Sequence, residues 1–169
     1  MDYEKAASYW EEKDRESAAM DRDMLLREIE QFAEAHNMCA LATGCEEFIR
    51  CTPIEYTYWN GAFWLLSEGG MKFRALQKNK KVGLAIFDGY SGFHALAGMQ
   101  VMGTAEMVEP WSEAYLGVLA NKKIPAENLR KLSHTMYCIK ITPIRIDFLC
   151  SEFKKMGFDS RQSLTLSNP

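Results

Sequence analysis

Arg50, Ser67 and Lys72 are residue types that together can hold an anion, and a Gly69-Gly70 pair stands between the last two. An arginine offers a planar fork of donors and a lysine a compact charge, both suited to phosphate. Ser67, the glycine backbone and a helix start near Met71 would add N–H groups and the positive end of a dipole. The same residues also have an ordinary reading, with Ser67 as a cap, Gly69-Gly70 as a turn, and Lys72, Arg74 and Lys78 as a solvated helix face. Spacing alone favours that ordinary reading, because basic residues on surface helices are common. The three histidines, His36, His94 and His134, lie far apart with no nucleophile motif near them, so none stands out as a catalyst. The five cysteines are odd in number and scattered, with no Cys-x-x-Cys pair. They read as reduced thiols of a cytoplasmic protein rather than as zinc ligands.

Arg50 falls in a stretch, 48–59, rich in β-branched and aromatic residues, followed at once by Asn60-Gly61 and the apolar run 62–66. Asn-Gly between two such runs predicts a two-residue hairpin, since both turn residues tolerate positive φ. Ser67 closes the second strand, and 71–79 reads as a short helix that carries Lys72. Whether Arg50 and Ser67 reach the same end of the hairpin depends on a register that the sequence leaves open. Pro53 removes a ladder donor and predicts a sheet edge or a bulge. Upstream, Tyr3, Ala6, Ala7 and Trp10 recur at helical spacing. A second helix runs from Asp21, as N-cap, to about His36, with Leu25, Ile29, Phe32 and Ala33 on one stripe.

Further strands are predicted at 38–43, 82–87 and 100–108, and a long one over 137–148 is bent at Thr142-Pro143. Pro110 and Pro125 predict helices at 111–120 and 126–132. The glycine loop 88–93 lacks the spacing of a dinucleotide fold. The aromatic series Tyr56, Tyr58, Trp59, Phe63 and Trp64 reads mostly as barrel wall, and the polar tail 160–169 as frayed. About six strands with short helices on the rim predict a barrel or partly open barrel.

A chain of 169 residues fits one domain, with helices over 1–37, a barrel with inserted helices over 38–151 and a tail over 152–169. The net charge of -3 argues against nucleic acid, whose binders carry a clustered basic excess. No apolar run is long enough to cross a bilayer, and 1–5 lack the pattern of a signal peptide.

Three segments then carry a resemblance: Phe48-Ile49-Arg50-Cys51-Thr52-Pro53-Ile54-Glu55-Tyr56, the run from Ser67 through Lys72 to Val82, and Gln100-Val101-Met102-Gly103-Thr104-Ala105-Glu106. Their order and spacing resemble the pyridoxamine 5′-phosphate oxidase-related family of FMN-binding split barrels, over roughly 38–108 and more weakly over 139–148. The resemblance implies a mainly β fold, a six-stranded antiparallel Greek-key split barrel, forming a homodimer with FMN at the interface. It implies that Arg50, Ser67 and Lys72 hold the FMN phosphate, that the backbone of Arg50, Cys51 and Thr52 runs along the ring edge, and that Gln100 contacts the ring. Met71 stands in the cofactor site where the true oxidase has an arginine. Glu55 stands where the oxidase has a lysine for the substrate phosphate, and would repel a phosphorylated vitamer. The oxidase's C-terminal substrate motif of Arg and His is absent from 141–169. These departures imply a relative with a different substrate.

The resemblance thus implies an FMN-dependent oxidoreductase, a flavin reductase that takes electrons from a nicotinamide cofactor; the flavin carries the redox chemistry, so no protein acid or base is required. The alternative is a flavin- or haem-binding sensor or carrier without turnover, with His94 or His134 as an axial ligand.

Overall fold

The computed structural model describes residues 1–166. Two capped helices come first. In α1 (Tyr3–Arg15) Asp2 accepts the Lys5 amide at 3.0 Å, and in α2 (Arg22–Ala35) Asp21 accepts the Met24 amide at 2.9 Å. Helix α2 buries Leu25, Ile29 and Ala33, three members of its predicted stripe, whereas α1 buries nothing.

The rest of the chain folds around one antiparallel sheet of eight strands: β1 (Met38–Cys45), β2 (Phe48–Glu55), β3 (Thr57–Trp59), β4 (Ala62–Ser67), β5 (Lys81–Phe87), β6 (Ala97–Val108), β7 (Tyr137–Cys150) and β8 (Arg161–Thr165). The spatial order is β2-β1-β5-β6-β7-β4-β3, with β8 added on β7. The sheet curls until β2 touches β4 across a split. The class is therefore the mainly β split barrel expected, with eight strands rather than six. Helices α3 (Lys72–Lys78), α4 (Glu113–Asn121) and α5 (Ala126–Arg130) lie in the connections. Alternate residues fill the barrel, among them Leu41, Leu65, Leu84, Val101, Ile139 and Ile146, while Trp64, Val108, Tyr115 and Val118 form a second cluster under α4.

The predicted hairpin is present: Asn60 and Gly61 take φ of 49° and 70°, and Tyr58 pairs with Phe63. The long strand predicted over 48–59 is interrupted at Tyr56, which is buried. Its hydroxyl donates to the Ala33 carbonyl and its amide to Asn37, so the strand stops where the chain ties itself to α2. Strand β2 is an edge, as Pro53 requires. The predicted bend in β7 is a bulge: Gly103 pairs with Pro143 and Met102 with Arg145, leaving Ile144 extra. Gly103 admits this close approach, since a Cβ there would lie 2.8 Å from Ile141 Cγ2 and 2.9 Å from the Thr142 carbonyl oxygen.

Three expectations need correction. Neither proline opens a helix from its first turn: Ser112 caps α4 after a positive-φ Trp111, and Pro125 is itself the N-cap of α5, which ends at Arg130. The tail is not frayed over Arg161–Thr165, where β8 pairs with β7. Its polarity misled because it is satisfied internally. Gln162 is buried and bonds Met20, Ala18 and Asp159, while Arg161 and Ser163 meet Asp14. The last three residues of that tail lie outside the described range. No helix among the described residues is long and apolar enough to cross a membrane.

Candidate functional site

Side-chain alternation sorts β2 into two faces. Thr52 pairs with Leu41 and Arg50 with Thr43, on one side of the strand, where Thr52 is half-buried and Arg50 is exposed outside the groove lining; Cys51 and Pro53 pair with Ala42 and Ala40 on the other side. Strand β4 ends at Ser67, and the chain then turns through Gly69 and Gly70 at φ of 139° and 106°, values that favour glycine. That turn delivers Lys72 into the split beside Ser67. Thr52, Ser67 and Lys72 line one groove of about 540 Å³, together with Ile54, Glu55, Leu66, Glu68, Gly69 and the α4–α5 segment.

Lys72 is the unusual member. It is 6% exposed, and its ammonium donates to the Gly69 carbonyl. Burial pulls its pKa below the ordinary lysine value, and the nearby Arg50 charge lowers it further. Among the described residues the Arg50 side chain has no acceptor and no ion pair. Two cations thus stand near each other without an intervening carboxylate. The hydroxyls of Thr43, which pairs with Arg50 across the ladder, and of Thr52, which lines the groove with Lys72, are buried with no hydrogen-bond partner among the described residues. Unpartnered buried hydroxyls are costly, and here they flank two cations that lack an anion.

The Gly69 carbonyl currently receives both Lys72 and the Ser67 hydroxyl, the latter at 3.1 Å, and Ser67 in turn accepts the Gly69 amide. Ser67 and Gly69 are therefore engaged with each other rather than free, as the sequence had suggested. The helix start is also occupied: Phe73 and Arg74 donate to Gly70 and Met71, and α3 has only seven residues. What remains for an anion is the two cations and the hydroxyls, with Ser67 and Lys72 released from Gly69. A phosphate monoester, with three acceptor oxygens and up to two charges, fits that donor set.

Met71 caps α3 without a side-chain bond and is exposed, outside the groove. Gln100 is also apart from it. It lies on the outer face in a row that runs Pro53, Ala40, Ala85, Gln100, Asp147. Three strand spacings, about 14 Å, separate it from β2. Within one chain, Gln100 and Lys72 do not meet. Glu55 is in the groove, but its charge is met by a residue sequence reasoning passed over: Lys122, just past α4, donates to Glu55 Oε1 at 3.0 Å and to Thr57 Oγ1 at 2.9 Å. The expected repulsion from Glu55 is therefore offset. Thr43 was also missed; its place two residues from the end of an apolar strand gave no signal.

Residues 25–150 match the family model described as pyridoxamine 5′-phosphate oxidase. The chain belongs to that family. Among curated protein sequences none matches. Solved structures of similar fold include an FAD-binding protein of Mesorhizobium loti (16% identity, 72% of this chain and 89% of that one, TM-score 0.55). HutZ, the heme storage protein of Vibrio cholerae, is similar at 19% identity (69% and 88% covered, TM-score 0.58). The conserved hypothetical protein Rv2991 of Mycobacterium tuberculosis has 21% identity (83% and 89% covered, TM-score 0.63). At these identities the likeness speaks for the fold.

Proposed function

We propose that this member of the pyridoxamine 5′-phosphate oxidase family binds FMN and works as an FMN-dependent oxidoreductase, a flavin reductase drawing on a nicotinamide cofactor. The observation that carries the reading is the pair Arg50 and Lys72, unneutralised and flanked by the orphaned hydroxyls of Thr43 and Thr52. In this reading Arg50, Ser67 and Lys72 hold the phosphate, and the backbone of Arg50, Cys51 and Thr52 borders the ring. Bound flavin supplies hydride or electron exchange; the chain's own residues orient it and exclude water. That a solved structure of similar fold is an FAD-binding protein supports a flavin as the cofactor.

A homodimer completes the site in this proposal. The outer face of β1 and β5 is paved with Ala40, Ala42, Gly83 and Ala85, which let a second backbone approach closely. Ile49, Phe87 and Met102 around it are 80%, 65% and 55% exposed, an apolar rim that a second copy would cover. Gln100 lies on this face and would reach the partner's flavin rather than its own. A cytoplasmic location accords with the free thiols.

The haem alternative draws on the HutZ likeness. The groove, however, has no histidine in its lining, and His134 leans on Glu68 at 3.5 Å on its rim. Purified protein decides between the readings. Flavin absorption bands, bleached anaerobically by NADH or NADPH, are the expected result. Flavin bands that no nicotinamide cofactor bleaches would leave a carrier, and a Soret band without flavin would favour haem.

A further inference from the structure

The groove that holds Ser67 and Lys72 at one end carries a second charged element that the phosphate does not use. Glu55 and Lys122 line its other part, together with Ile54, Ile124, Leu129 and Met136. The two members of this pair are unequal. The Lys122 side chain is 14% exposed and pinned by Thr57, whereas that of Glu55 is 58% exposed. Lys122 has three donors, and among the described residues Glu55 Oε1 and Thr57 Oγ1 are its acceptors. Glu55 is thus a solvated, displaceable counter-ion on a sheltered cation, and displacing it costs little because exposed ion pairs contribute about 0–1 kcal/mol.

Resting on the flavin reading for what fills the Lys72 end, we propose that Lys122 anchors the anionic group of the second reactant, and that this reactant is a small apolar carboxylate. The donor set argues for carboxylate over phosphate. A single ammonium with one neighbouring hydroxyl matches a monoanion, whereas a dianion calls for further cations such as those gathered at Arg50 and Lys72. The walls argue for an apolar body, since Ile54, Ile124, Leu129 and Met136 line the same groove as the pair. Glu55 then sets a threshold. It excludes neutral molecules, which cannot replace it on Lys122, and yields to a competing carboxylate. Lys122 acts here as a specificity-determining residue.

Titration calorimetry with two successive ligands tests this on wild-type protein and on K122M, K122R and E55Q. FMN is added first, then benzoate, with benzamide as the neutral control. Benzoate is expected to bind wild type and benzamide not. K122M should weaken benzoate by at least roughly tenfold, as loss of a hydrogen bond to a charged group would, while FMN affinity is unchanged. K122R should retain benzoate, and E55Q should tighten it about threefold by removing the competitor. Benzoate binding that is absent in wild type, unchanged in K122M, or weakened in E55Q as much as in K122M overturns the proposal. Should FMN fail to bind while benzoate still depends on Lys122, the flavin reading falls and this one stands. Should FMN bind and benzoate ignore Lys122, the reverse holds.

Discussion

Lys72→Met separates function from stability at one position. The methionine keeps an apolar stem of similar length in a site where only 6% of the lysine is exposed. Two favourable contacts are lost, the donation to the Gly69 carbonyl and a 5.2 Å approach to the Phe73 ring. The carbonyl is not orphaned, because Ser67 still donates to it. Against these losses stands relief of a buried charge and of its repulsion by Arg50, both of which already depress the lysine's pKa. Replacing a buried ion pair by apolar volume is often neutral or gains about 1–4 kcal/mol, and removing this one unpaired cation should gain on the low side of that range. With two contacts deducted, a net gain near 1 kcal/mol is expected, or about 2–4 °C in Tm for a chain of this size. FMN affinity should fall by about 1.5–3 kcal/mol, roughly 10–150-fold, the value of one charged hydrogen bond to phosphate. Thermal unfolding of ligand-free protein and quenching of FMN fluorescence measure the two halves. A variant that is less stable and binds FMN as before would refute the reasoning, for Lys72 would then be a structural lysine.

Other positions offer sharper or smaller effects. Both ring nitrogens of His36 meet acceptors, Phe32 O at 2.7 Å and Asp88 Oδ1 at 2.8 Å. Burial opposes the charged ring, yet these bonds outweigh it and raise the pKa above 6.5. The charged ring therefore stabilises the fold fully below pH 6.5 and this contribution is lost as pH rises through the raised value. It is under about 1 kcal/mol for so exposed a pair, and urea unfolding across pH 5–9 should show a slope in wild type that D88N, which keeps only the Phe32 bond, reduces. Gly103→Ala would drive a Cβ against Ile141 and the Thr142 carbonyl. It should cost about 1–3 kcal/mol in the same urea assay. Burial pushes the Cys39 thiol up to about 12 and Cys138 up to about 11. Both should resist a thiol reagent at pH 7 in native protein and react once it is unfolded, as mass spectrometry would show.

How far the sequence carried depended on whether a signal was local. The Asn60-Gly61 turn, the Asp21 cap and the bulge at Pro143 each rest on backbone preferences of one or two residues, and each is present in the fold. Tyr56 looked like one more strand residue because its partners, Ala33 and Asn37, lie outside the strand it interrupts. Strand β8 was hidden for the same reason: Asp14, a residue of α1, supplies the acceptor for Arg161. At the site, residue types pointed to Arg50 and Lys72, but that neither makes an ion pair among the described residues, although Glu55 and Glu68 line the same groove as Lys72, is a three-dimensional fact. Glu55 gave the opposite lesson. Its charge was legible, while the lysine that meets it comes from a helix end 67 positions away.

The most direct test of the account compares FMN with riboflavin, which differ in the phosphate alone. If Arg50, Ser67 and Lys72 cradle that phosphate, wild-type protein binds FMN at least about tenfold more tightly than riboflavin, the scale of one charge-assisted bond. In the double variant R50A/K72M that preference disappears, with riboflavin affinity little changed. Equal affinity for the two flavins in wild type, or a preference that survives in the double variant, would contradict the account.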